Sequence, residues 1–165
     1  MEINPQSKHQ LDIILNDLPQ SLLVTGPEGI GMISIIEFIG QKLDSKPVII
    51  NPEYEEKVNL DKGIIGVDII RRLYDLTKSR TKGKSIIVIN RADKMNIVAQ
   101  NAFLKLLEEP RDNVHFILLC SKTSVLLPTI LSRLRLIELL PLTKDQSIKY
   151  LQTLGVKDDT KITQL

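Results

Sequence analysis

The chain has 165 residues, enough to bury one sizeable core with little left for a second domain. Hydrophobic residues at 42% and charged residues at 25% are ordinary for a soluble globular protein, and a net charge of +2 implies no strong electrostatic partner. One cysteine and two histidines, His9 and His115, cannot build a structural zinc site, so no metal is expected; no apolar run reaches the length of a membrane span, and Met1-Glu-Ile-Asn-Pro5 is no signal peptide, which leaves the cytoplasm as the default location.

Gln6 to Asn16 has the period of an amphipathic helix, with Leu11, Ile14 and Leu15 on one face and Pro19 closing the segment. Ser21 to Thr25 is a first strand whose near-continuous apolarity suits a buried parallel sheet. A glycine loop follows, then a helix running to about Leu43 and a short second strand over Lys46–Ile50. Residues 51–65 carry the charge run Glu53-Tyr-Glu-Glu56, which reads as a solvated loop. Asp68 opens a helix whose buried stripe is Ile69, Ile70, Leu73 and Leu76. The basic segment Lys78–Lys84 is read as a solvated connection, with a contact to a phosphate backbone as the functional alternative.

Ser85–Ile89 is a β-branched strand, and Lys94 to Glu109 a helix with Met95, Val98, Ala99, Ala102, Phe103, Leu106 and Leu107 at three- and four-residue steps before Pro110. Val114–Leu119 is a further buried strand; Cys120 beside it reads as a small buried hydrophobe. A short helix starts after Pro128, and Leu136–Leu140 is the last strand. Thr143 and Gln146 form a capping box for a helix carrying Ile148, Leu151 and Leu154, with Gly155 as its terminator. Alternating strands and helices imply a five-stranded parallel sheet sandwiched between helical layers, with ligands at the carboxyl ends of the strands. That directs attention to the loop from Gly26, to Asn90 and Arg91, and to Ser121.

Gly26-Pro-Glu-Gly-Ile-Gly-Met-Ile-Ser34 has the strand–glycine loop–helix layout of a phosphate-binding P-loop, and Gly26, Gly29 and Gly31 allow backbone N–H groups to converge on an anion. A working P-loop then needs a Lys for the phosphates and a Ser or Thr for magnesium. Met32 and Ile33 occupy those places, and Ser34 comes one residue too late. The loop is either a nucleotide site without its hydrolytic groups or a turn kept for its backbone. After the strand Ile86–Ile89, where an ATPase needs a metal-binding Asp and a Glu that activates water, stand Asn90 and Arg91. Four chemical requirements fail together. No hydrolysis in cis is expected, no cofactor is expected, and ATP binding is doubtful.

Several segments together resemble a known family. Leu23–Gly31, Ile64–Arg72, Ala92-Asp-Lys-Met95, Ala99-Gln-Asn-Ala-Phe-Leu-Lys-Leu-Leu-Glu-Glu-Pro110 and Leu127-Pro-Thr-Ile-Leu-Ser-Arg133 are similar to motifs of the AAA+ subunits of bacterial clamp loaders. The missing ATP-site residues point within that family to its delta-prime branch, a stator that does not turn over ATP. The resemblance implies a P-loop AAA+ domain over 1–142 and the start of a helical lid over 143–165. It also implies that Arg133, preceded by Ser132, is the arginine of the family's Ser-Arg-Cys motif and reaches into a neighbouring subunit's ATP site; from local sequence alone Arg133 reads as a surface arginine. Ser121 falls near the family's polar sensor position. Leu134 stands where the motif has Cys, the zinc-binding cysteines of many relatives are absent, and a collar domain is not reached, as in a truncated piece or a short relative.

The implied partners are the clamp-loader ATPase (gamma/tau) and delta subunits in a hetero-oligomer, with primed DNA indirectly and no membrane. Two other classes stand beside this non-catalytic subunit: a nucleotide-binding ATPase subunit with relaxed motifs, and a DNA-binding module working through Arg71, Arg72 and Lys78–Lys84.

Overall fold

A computed structural model of the chain describes residues 3–78 and 83–153. Its centre is a five-stranded sheet of β1 (Ser21–Thr25), β2 (Val48–Ile50), β5 (Ser85–Ile89), β6 (Val114–Cys120) and β7 (Arg135–Glu138), in the order β2-β5-β6-β1-β7 and parallel throughout. A separate antiparallel hairpin pairs β3 (Glu53–Tyr54) with β4 (Lys57–Val58). The helices are α1 (Pro5–Asn16), α2 (Met32–Lys42), α3 (Val67–Lys78), α4 (Ile97–Glu108), α5 (Pro128–Leu131) and α6 (Lys144–Thr153).

Alternate residues of each strand point to opposite faces of the sheet, and each face has its own core. Leu23, Ile87, Ile89, Phe116, Leu118 and Cys120 pack with α3, α4 and α5. Leu22, Val24, Ile86, Val88, Ile117, Leu119 and Ile137 pack with α1 and α2 on the other side. Coverage of both faces is why the strands read as unbroken apolar runs rather than alternating ones. Phe103 of α4 meets Phe116 of β6 edge-to-face, with centroids 5.3 Å apart. The result is the expected three-layer sandwich.

Local signals placed several boundaries. Asn4 caps α1 by accepting from the Gln6 backbone N–H at 3.0 Å, and Pro5 occupies the first helical position. The capping box of α6 forms as expected: the Thr143 N–H donates to Gln146 Oε1 at 2.9 Å, and the Gln146 N–H to Thr143 Oγ1 at 3.3 Å. Ile148 and Leu151 are half-buried on α6; Leu154 and Gly155 lie outside the described residues, as does most of the basic segment after Lys78.

Five expectations need correction. Leu76 is 51% exposed, and Thr77 takes the buried place on α3, because the step from Leu73 that stays on the core face is four residues. Val98 is 62% exposed. Its helix starts at Ile97 rather than Lys94: Ala92–Lys94 is a 3₁₀ turn, Met95 is extended, and Asn96 caps α4 by accepting from the Ala99 N–H at 2.8 Å. The last strand spans Arg135–Glu138, one residue earlier than expected at its start, with Leu136 exposed on the sheet edge. The charge run at residues 53–56 forms a hairpin, with Glu55 and Glu56 both at positive φ (49° and 60°) in its turn.

The hairpin is locked to the sandwich by a tight loop. Asn59 Oδ1 accepts from the Asp61 and Lys62 backbone N–H groups, and the Gly63 N–H donates to Asn59 O at 3.0 Å. A Cβ at Gly63 would collide with Asn59 O and lie 2.8 Å from the Pro52 carbonyl carbon, both backbone atoms that cannot swing aside. Gly63→Ala should therefore destabilise the fold by about 1–3 kcal/mol, read as a lowered midpoint in urea unfolding.

Candidate functional site

The residues flagged at the carboxyl ends of the strands converge. The loop Gly26–Gly31 leaves β1 and turns into α2. Gly29 and Gly31 have φ of 81° and 83°, which L side chains rarely adopt, and Gly31 caps α2 from the left-handed region. Gly26 is constrained differently, since a Cβ there would sit 3.0 Å from Leu139 O beyond β7. Met32 and Ile33 open α2; both are half-buried and pack against the core under α1 and α2. Ser34 is exposed.

Asn90 and Arg91 follow β5. The Asn90 N–H donates to Ile50 O at 2.8 Å, and its Nδ2 donates to Asn51 Oδ1 at 2.8 Å. The Asn90 amide is thus engaged with the loop after β2. Arg91 sits at φ 51° and its Nη1 donates to Leu60 O at 3.3 Å; Lys94 Nζ donates to Asp61 O at 3.0 Å. The two cations brace the loop that carries Leu60. Glu28–Ile33, Leu60, Asn90, Arg91, Asp93, Leu119 and Ser121 line one cleft of about 250 Å³. Asp93 Oδ1 is buried there without a hydrogen-bond partner among the described residues. Cys120 is fully buried; burial, with a smaller contribution from the Asp93 charge, pushes its thiol up to about 11, so it is neutral at physiological pH and no nucleophile. Among the described residues no group of three or more His, Cys, Asp or Glu side chains gathers for a metal.

Arg133 is not part of this cleft. It follows α5 and Ser132, its side chain is 37% exposed, and its guanidinium donates from Nη1 to Thr129 O and from Nη2 to Glu108 Oε1, each at 2.8 Å. Ser132 is also exposed and its hydroxyl donates to Thr129 O at 3.1 Å. A wider groove of about 900 Å³ runs between α3 and the C-terminal half of α4, away from the glycine loop. Its cations Arg71, Lys78, Lys105 and Arg111 are interleaved with Asp75, Glu108 and Glu109.

Gln100 is the residue that pattern reading passed over. It is 1% exposed on α4, and all of its amide is used. Nε2 donates to Met95 O and Val125 O, both at 3.1 Å, and Oε1 accepts from the Leu127 N–H at 2.8 Å. One side chain therefore ties the turn after Asn90–Lys94 to the residue that opens α5. The signal in the sequence was a pair of amides, Gln100 and Asn101, set between the apolar positions Ala99 and Ala102.

A parallel sheet with a glycine loop after β1, opening a helix, defines the P-loop class of α/β proteins. Comparison with known proteins then gives the family. Residues 48–143 match the model of the family described as DNA polymerase III, delta subunit, and the chain belongs to that family of AAA+ clamp-loader proteins. It is 25% identical to the DNA polymerase III subunit delta' of Haemophilus influenzae, aligned over 86% of this chain and 49% of that protein. Replication factor C subunit 5 of Mus musculus is 28% identical over 92% of this chain and 45% of its own length. The chain thus spans about half the length of the curated relatives it matches. Among solved structures, a gamma subunit-related protein of Thermotoga maritima superposes with a TM-score of 0.67 at 23% identity, covering 96% of this chain and 56% of that one. RuvB of the same organism superposes at 0.71 with 16% identity over 97% of this chain and 55% of its own, a likeness of fold alone.

Gln100→Ala would leave two carbonyls and an N–H without this partner at once, one of the three bonds being fully buried and two partly buried. It should cost about 2–4 kcal/mol in chemical denaturation, well above the effect of an exposed Gln such as Gln41→Ala.

Proposed function

We propose that this domain is a non-catalytic clamp-loader subunit of the delta-prime type, which does not turn over ATP and presents Arg133 to the nucleotide of a neighbouring ATPase subunit. Its partners on this reading are the gamma/tau ATPase and delta subunits, it meets primed DNA through the assembly, and it works in the cytoplasm. The observation that carries the reading is the separation of two features. The glycine-loop cleft holds apolar Met32 and Ile33 where phosphate and magnesium ligands are needed, while the guanidinium of Arg133 stands outside that cleft and open to a neighbour.

Further support comes from the cleft itself. About 250 Å³ falls short of the volume of roughly 300–1,000 Å³ usual for small-molecule sites. The Asn90 amide is already bonded to Asn51, and Arg91 places a cation where the water-activating carboxylate belongs. A loop in left-handed backbone around Gly29 and Gly31 is retained because it carries the chain from β1 into α2, whether or not an anion binds. A guanidinium supplied in trans, by contrast, needs no cis machinery: its planar fork and permanent charge suit a transferring phosphoryl group. The basic helix α3 gives little support to a DNA-binding module, because Arg71 pairs with Asp68, Arg72 with Glu53 and Lys78 with Asp75. No helix among the described residues is long and apolar enough to cross a membrane.

Reconstitution with the ATPase and delta subunits, the clamp and primed DNA tests the reading. Calorimetric titration of the chain with magnesium-ATP should show no saturable micromolar binding, and the chain alone should release no phosphate. Arg133→Ala should keep the far-UV spectrum and melting temperature of the parent. It should lower hydrolysis at the nucleotide site it serves by about 10³-fold, the lower end of the effect of a trans guanidinium. Tight binding or turnover by the chain itself would establish a nucleotide-binding ATPase instead, and undiminished hydrolysis with Arg133→Ala would remove this residue from the mechanism.

A further inference from the structure

Arg133 projects from a short support. α5 is four residues long, and a free arginine side chain on such a turn would sample many rotamers. Two acceptors narrow that freedom. Thr129 O belongs to the same turn and moves with it. Glu108 does not: it is the last residue of α4, 25 positions earlier in the chain, and its Oε1 accepts from Arg133 Nη2 at 2.8 Å. α4 is itself anchored by Phe103, Leu106 and Leu107 in the core. The same helix holds the start of α5 through Gln100, about 12 Å back along its axis from Glu108. α4 thus fixes both the backbone that leads to Arg133 and the head of the side chain. Of the other ion pairs among the described residues, Arg71–Asp68 and Lys78–Asp75 lie within α3, and Arg72–Glu53 joins α3 to the hairpin.

We propose that Glu108 is the positioning residue for Arg133, holding its guanidinium in one orientation so that the donors left over face a neighbouring subunit's nucleotide. The inference rests on the reading of Arg133 as a trans donor. The carboxylate takes one hydrogen of Nη2, and Thr129 O takes one of Nη1, which leaves Nε and the second hydrogen of each Nη without a partner among the described residues. Restricting the side chain before docking means less freedom is lost when it engages the transition state. Both partners are partly solvated, 37% and 49% exposed, so the effect is modest in size. It acts on the rate of the chemical step, because the guanidinium gains most contact when charge develops on the transferring group.

The test uses the full chain in the reconstituted complex, with hydrolysis followed at varied ATP. Glu108→Ala should lower kcat at the served site about fivefold with KM for ATP unchanged, whereas Glu108→Gln, which keeps the acceptor oxygen, should stay within about twofold of the parent. In an Arg133→Ala background Glu108→Ala should have no further effect, since its action runs through that side chain. If Glu108→Ala leaves kcat unchanged or raises it while Arg133→Ala is severe, the positioning role is wrong and the trans-donor reading stands. The positioning role is equally wrong if the two losses simply add. If Arg133→Ala is silent, the trans-donor reading fails and takes this inference with it. Equal melting temperatures for all variants keep these outcomes free of folding effects.

Discussion

The architecture depends on β1 being paired on both edges. It runs parallel to β6 on one side and to β7 on the other, so Leu22, Leu23 and Val24 have no route to solvent on any face. A strand this enclosed requires helices on both sides of the sheet, and those helices must enter and leave at the strand ends. The glycine loop is the exit from β1, and its left-handed residues turn the chain back so that α2 can cover the face bearing Val24. The cleft at the carboxyl ends of β1, β5 and β6 is a geometric result of this winding. It exists whatever chemistry fills it.

Several residues around it make structural contacts. Met32 and Ile33 extend the apolar core, Asn90 ties β5 to the loop after β2, and Arg91 with Lys94 brace the segment 59–61 through its carbonyls. These side chains hold neighbouring segments of the fold together. Asp93 Oδ1 is the one buried side-chain oxygen or nitrogen among the described residues without a hydrogen-bond partner.

The opposite end of α4 carries a different logic. Gln100 satisfies two carbonyls and one N–H from two separate segments, Met95 and residues 125–127, so the turn beside the cleft and the residue opening α5 cannot shift independently. Glu108 then meets Arg133 from the last turn of the same helix. α4 thus links the turn that follows β5 to an exposed guanidinium.

Much of this fold is legible in the order of residues alone. The apolar runs at 21–25, 85–89 and 114–119 need only the burial of a parallel sheet to be recognised, the glycine spacing encodes its own backbone angles, and Thr143 with Gln146 announces a helix start through contacts three residues apart. Other features are hidden because their causes lie far along the chain. Glu55 and Glu56 are not turn formers, so the β3–β4 hairpin leaves no local trace and is held by the bridge from Glu53 to Ile64. Leu76 and Val98 are apolar yet exposed because the exact phase of α3 and the start of α4 are set by packing and by the Asn96 cap. The motif around Arg133 is legible as residue types, but its partner Glu108 is not, since a pairing across 25 residues exists only once α4 and α5 are folded side by side. Periodicity and turn chemistry are short-range and survive in the order of residues; which polar groups meet is a property of the packed sandwich.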